Sequence, residues 1–228
     1  MKILILVLVS FIIQGCTQQP KEIQEANLHK HIKILASDRF EGRGPSSNGG
    51  EKTKRYLENE FTKLGLSPIK DNYYLEVPLS QMSVDLGNSF LSISSKAKKR
   101  ILKAGPETVY WTKRVVDEVS VTASELVFVG YGIVAPEYGW NDYKNFDAKG
   151  KTLVMLINDP GFSTEDPDLF NGRAMTYYGR WTYKYEEAAR QGAEAVLIIH
   201  ETAPAAYPWQ VVETSWAGKQ IDLKREDM

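Results

Sequence analysis

Histidine and cysteine, the residues that hold zinc and build most nucleophilic sites, are nearly missing from this chain. Its 228 residues contain three histidines (His29, His31, His200) and one cysteine, Cys16. One cysteine excludes an internal disulfide framework and a cysteine-built metal cage. His29 and His31, two apart, would point about 200° from each other on a helix and cannot chelate one ion from one face. His200-Glu201 opens like the helical zinc-peptidase motif, but Pro204 stands where the second histidine belongs and should obstruct a helix. No serine, cysteine or lysine has a base partner that would make it a nucleophile. An excess of one charge is lacking too. With 28 basic and 29 acidic residues the net charge is −1, which offers nucleic acid no electrostatic footprint. The longest basic run, Lys96 to Arg100 (KAKKR), reads as a solvated turn or strand edge.

Two further stretches imitate sites without completing them. Gly44 to Gly49 has the separation of a phosphate-binding loop, but Gly50 replaces its lysine and no strand precedes it. A turn opening the next helix is the expected reading. Glu165, Asp166 and Asp168 offer oxygens to calcium, yet Pro167 interrupts them and the spacing is not that of a calcium loop. A solvated loop is expected there.

What is present begins with a targeting segment over residues 1–16. Lys2 supplies a positive start and Ile3 to Ile13 an apolar run broken by Ser10. About eleven residues at roughly 1.5 Å each are too short for a ~30 Å hydrocarbon core. Cys16 follows Ile13-Gln14-Gly15, which resembles the bacterial lipobox and marks Cys16 as the lipid attachment residue; Gln14 is a less usual occupant. An acylated cysteine would anchor an exported lipoprotein in the membrane of the cell envelope. Residues 17–24 read as a polar tether.

The remainder, 43% hydrophobic and 25% charged in the whole chain, is ample for a buried core. The pattern predicts a mixed α/β fold. Leu28, Ile32 and Leu35 mark a helix over Glu25 to Ala36. Asn48 and Glu51, spaced as a capping box, open a second helix from Gly49 to Leu64, whose stripe is Leu57, Phe61 and Leu64 and whose stop is Gly65. Strands are expected at Tyr73 to Leu79, Phe90 to Ile93, Val115 to Val121 and Leu126 to Val134. Thr152 to Ile157 should be a strand buried on both faces. A helix over Thr182 to Gln191 and a strand over Ala195 to His200 complete a βαβ crossover. The densest aromatic cluster runs from Tyr177 to Tyr185. Tyr178, Trp181 and Tyr183 within it serve either as packing against the crossover helix or as a surface that grips peptides or sugars.

Leu35 to Arg43 (LASDRFEGR), a Gly-rich loop and EKTKRYLENEFTKLGL together resemble the amino-terminal signature of bacterial aminopeptidases of metallopeptidase family twenty-eight. The stretch from Glu125 to Trp216, ELVFVGYGIVAPEYGWNDYKNF through AVLIIHETAPAAYPW to its end, resembles the protease-associated domain inserted in secreted members of that family. The resemblance covers roughly two thirds of the chain. It implies a parent enzyme with two zinc ions, which polarise the scissile carbonyl and activate water. It also implies domains at 25–114 (start of the peptidase fold) and 115–228 (protease-associated). The family's ligands include a His-x-Asp stretch that this sequence lacks. No catalytic or metal residue is therefore carried over, no cofactor is expected in this chain, and the chain is expected to be an inactive front portion. Its helices would then present apolar stripes without their sheet. The alternative is a stand-alone lipoprotein binding peptides, an envelope protein or sugars.

Overall fold

Residues 22–225 are described by a computed structural model of the chain. The expected signal segment, the lipid attachment expected at Cys16 and most of the expected tether lie outside the described residues. Those described divide into two compact units, one ending at Glu76 and one starting at Val77. The division falls well before the expected boundary at 114/115. Its physical reason is that β1 (Leu79–Met82) pairs antiparallel with β9 (Gln220–Leu223), which joins residues near 80 to the carboxyl-terminal strand.

In the first unit, α1 (Glu25–Leu35) and α2 (Asn48–Lys63) form within one residue of expectation. The cap of α2 is Ser47, whose side chain accepts from the Gly50 amide at 3.1 Å, one residue earlier than the Asn48–Glu51 box expected. Gly65, at φ +74°, ends the helix: its amide bonds Thr62 O and that of Leu66 bonds Phe61 O. This double bond from a left-handed glycine is the Schellman arrangement. The Gly-rich loop has a packing reason. A Cβ on Gly49 would sit 2.0 Å from the carbonyl oxygen of Phe40, in the 3₁₀ turn Asp38–Arg43. Phe40 is buried and meets the Tyr56 ring edge-on at 6.0 Å. Leu28, Ile32, Leu57, Phe61 and Leu64 are 39% to 71% exposed. Tyr73 and Tyr74 do not enter a strand as expected. Their hydroxyls instead donate to Leu66 O at 2.5 Å and Glu58 Oε2 at 2.6 Å, holding residues 73–74 to the α2 region.

The second unit is a mixed α/β fold. Its central sheet has the order β4 (Leu126–Phe128), β7 (Thr152–Leu156), β8 (Ala195–Ile199), all parallel. The chain passes from β7 to β8 through α3 (Pro160–Thr164) and α4 (Trp181–Arg190), so the expected βαβ unit is present. Alternation sends Val127, Leu153, Met155 and Val196 to one face, where they pack with Ala188 of α4. On the opposite face Leu126, Phe128 and Ile199 stay 40%, 60% and 43% exposed. Val154 and Leu156 on that face are only half-buried, so β7 is not buried on both sides as its sequence suggests.

The strand expected over Leu126 to Val134 stops at Phe128. Gly130 and Gly132 both adopt positive φ, and a Cβ on Gly132 would lie 2.4 Å from Met155 Sδ. The chain turns there and resumes as β5 (Val134–Ala135), paired with β6 (Trp140–Asn141). Val115 to Val121 forms no strand, and its valines are 39% to 56% exposed; Asp117 and Glu118 break the apolar alternation a ladder would need. Two-stranded β2 (Leu91–Ser95) and β3 (Lys98–Leu102) enclose Lys96-Ala97 as a hairpin turn. Pro204 does not prevent a helix: α5 (Thr202–Ala205) holds it in the first turn, where a missing amide costs nothing. α6 (Trp209–Trp216) follows.

Candidate functional site

The chemistry-bearing side chains of the second unit gather around α4. Its 3.6-residue period places Trp181 and Tyr185 on one side and turns Tyr183, Lys184, Glu187 and Ala188 inward. The first side belongs to a cluster of three indoles. Trp111, Trp181 and Trp216 meet edge-to-face with centroids 6.0, 5.5 and 5.7 Å apart, and Tyr185 lies 5.3 Å from Trp111. These offset geometries are the favoured ones for aromatic quadrupoles. All four rings are half-buried by exposure, and burial pushes the Tyr185 phenol up to about 12. Lys113 Nζ lies 5.2 Å from the Trp111 ring centre and pairs with Asp222 at 2.6 Å.

The other two aromatics singled out in the sequence sit differently. Tyr178 is half-buried between Phe170 and Tyr183, with centroids at 5.6 and 4.9 Å. Its hydroxyl donates to Glu137 Oε1 at 2.6 Å. That bond pushes the phenol up to about 12 and holds the Glu137 carboxyl below its ordinary value. Tyr183 is 5% exposed. Its hydroxyl donates to Val134 O and accepts from Val134 N, each at 3.1 Å. It serves β5 as a missing partner strand would and presents no binding surface. Trp181 thus joins one cluster, Tyr178 and Tyr183 another.

Beneath these rings lies a set of buried polar and ionisable side chains outside the expected site residues. Lys184 is fully buried, and its Nζ donates to Tyr131 O at 2.7 Å and Tyr178 O at 3.2 Å. Burial pushes the ammonium down to about 7, against the opposing pull of Asp159 and Asp142. Asp159, also fully buried, accepts from Gly161 N at 3.2 Å, Thr176 N at 3.0 Å and Thr176 Oγ1 at 2.7 Å. Asn158 donates from Nδ2 to Pro204 O at 2.8 Å. Asp142 accepts from Ile133 N and Trp140 Nε1, both at 2.9 Å, and burial raises its carboxyl. Part of this was visible: Asn158-Asp159-Pro160 after an apolar strand spells an N-cap followed by proline at the first helical position. Lys184 carried no such signal, because a lysine on an amphipathic helix is ordinarily exposed.

The histidines are dispersed. His29 Nε2 faces Glu25 at 3.3 Å, His31 Nδ1 meets the Tyr56 hydroxyl at 2.6 Å, and His200 Nε2 meets Tyr207 O at 3.0 Å. Glu165 is paired with Arg173, and Asp166 caps the amide of Asp168. Among the described residues no three His, Cys, Asp or Glu side chains gather where they could hold a metal ion. The described residues therefore do not fit the paired zinc ions that the resemblance implies for a parent enzyme. A shallow depression between Gln81–Ser83 and Val115–Asp117 contains one titratable side chain, Asp117, and no partner for acid–base work. The arrangement around α4 can pack and bind through aromatic faces; it supplies no nucleophile–base pair. Comparison of the chain with protein-family models, with curated proteins and with solved structures gave no match.

Proposed function

We propose that this chain is the anchoring and protease-associated portion of a membrane-anchored zinc aminopeptidase of metallopeptidase family twenty-eight, and that it does not itself hydrolyse peptides. The observation that carries this reading is the order of two segments, LASDRFEGR with its Gly-rich loop and helix, then the long stretch from Glu125 to Trp216. Their local structures are compatible with it: a helix–turn–helix in the first and a parallel strand–helix–strand unit in the second. His29, His31 and His200 each have a protein partner of their own, so no hydrolytic step is assigned to them. In the parent, the substrate would be the amino terminus of a peptide. The test is turnover of a chromogenic aminoacyl substrate by the purified chain with added zinc and with chelator. No zinc-dependent release is expected; chelator-sensitive turnover would refute the assignment.

A second reading, a lipoprotein that binds peptides or an envelope protein without catalysis, is favoured by the half-buried Trp111–Trp181–Trp216 cluster. Peptide-induced change in tryptophan emission, lost in Trp181→Ala, would move the assignment to it.

A further inference from the structure

The basic run is organised by the fold in a way its sequence does not reveal. Between Leu86 and Pro106 there are five cations (Lys96, Lys98, Lys99, Arg100, Lys103) and no acid. The β2–β3 hairpin places the first four at or beside its two-residue turn, all exposed. Glu107 pairs with Arg100 at 2.7 Å and accepts from the Lys103 amide at 2.8 Å. The ammonium groups of Lys96, Lys98 and Lys99 have no ion-pair partner among the described residues, while that of Lys103 helps hold the Glu107 carboxyl below its ordinary value.

Strand alternation then sorts the hairpin's two faces. Leu91, Ile93 and Leu102 share the face that is half-buried. Phe90, just before β2, and Ile101 share the other with Lys99 and Lys103, and they are 71% and 59% exposed. The outward face of the two-stranded ribbon therefore combines two large apolar side chains with lysine ammonium groups, Lys99 among them without an ion-pair partner. That combination suits the boundary of an anionic bilayer, where lysine ammonium groups meet phosphates and apolar side chains enter the acyl edge. Nucleic acid offers the phosphates without an apolar layer for Phe90 and Ile101.

We propose that the outward face and tip of the β2–β3 hairpin dock the protein on anionic phospholipid, a second membrane contact in addition to the amino-terminal anchor. The idea rests on the membrane-anchored reading only for bringing a lipid surface near; the hairpin's own affinity is measured separately.

The experiment is co-sedimentation of the full chain with vesicles of phosphatidylcholine alone and of phosphatidylcholine with a third phosphatidylglycerol, at about 50 mM and about 500 mM salt. An apolar or acylated anchor binds both vesicles alike, independently of salt. The hairpin adds an increment on anionic vesicles that high salt removes. Each lysine close to anionic lipid raises partitioning roughly fivefold. The triple variant Lys96→Gln, Lys98→Gln, Lys99→Gln should therefore lower the increment about 100-fold, and Phe90→Ser with Ile101→Ser should weaken the same increment at low salt. All five positions are exposed, and unchanged circular dichroism checks the fold. Equal binding of the wild type to both vesicles, or an increment untouched in the triple variant, overturns the proposal. Equal affinity for an oligonucleotide or an acidic peptide would replace the lipid with a general polyanion and also overturn it. An increment kept without any binding to neutral vesicles supports the hairpin and counts against the anchor.

Discussion

Replacing Lys184 by methionine removes a fully buried ammonium while keeping most of its side-chain volume. In the wild type, burial pushes this group down to about 7 from its ordinary 10.5. Between those values the unfolded chain holds a proton that the folded chain lacks, so stability rises with pH; below pH 7 both states are protonated and the full cost of the buried charge is present. The slope approaches about 1.4 kcal/mol per pH unit, which integrates to about 2 kcal/mol between pH 7 and pH 9. The methionine variant has no such group, and every other titration cancels in the difference between the two proteins. Loss of the Nζ donor also leaves the carbonyls of Tyr131 and Tyr178 without that partner, a cost of about 1–3 kcal/mol each where they are desolvated. The wild type should therefore be the more stable protein at pH 9, by a margin about 2 kcal/mol larger than at pH 7. All five tryptophans (Trp111, Trp140, Trp181, Trp209, Trp216) lie in the second unit, so urea unfolding followed by tryptophan emission reports that unit alone. A wild-type-minus-variant difference that stays constant or shrinks from pH 7 to pH 9 would refute the reasoning.

The other perturbations are local. Asp159→Ala deprives the Gly161 amide and both Thr176 donors of their acceptor; at a fully buried site this should cost about 3 kcal/mol or more. The measurement is the urea midpoint by tryptophan emission, together with faster proteolysis between Glu165 and Arg180, and an unchanged midpoint would show that the carboxylate does not organise that loop. Gly49→Ala puts a Cβ where the Phe40 carbonyl oxygen stands 2.0 Å away, forcing a backbone shift of about 1–3 kcal/mol. Helicity by far-ultraviolet circular dichroism should fall in that variant, and a spectrum and melt identical to wild type would contradict the close approach.

The elements with a strong local period were legible in advance. Both amino-terminal helices, β7, α4 and β8 appear within about one residue of where apolar spacing puts them, since a 3.6- or 2-residue repeat is a property of the chain itself. Gly65 as a helix stop was equally local, because only its positive φ was needed. Strand partners were not legible. Val115 to Val121 has β-favouring residues but no ladder, whereas Gln220–Leu223, a short stretch with two polar residues, pairs with β1 across about 140 residues. Of the aromatic trio, composition could show only that the rings were dense. The fold separates Trp181 from Tyr178 and Tyr183, and sinks Tyr183 until its hydroxyl completes β5. Lys184 is the clearest case of the division. By itself the sequence determined a helix with a lysine in it. Only tertiary packing decided that this lysine would lose its water, because the two carbonyls it meets and the Asp159 and Asp142 carboxylates that offset its burial come from residues as far as 53 positions away.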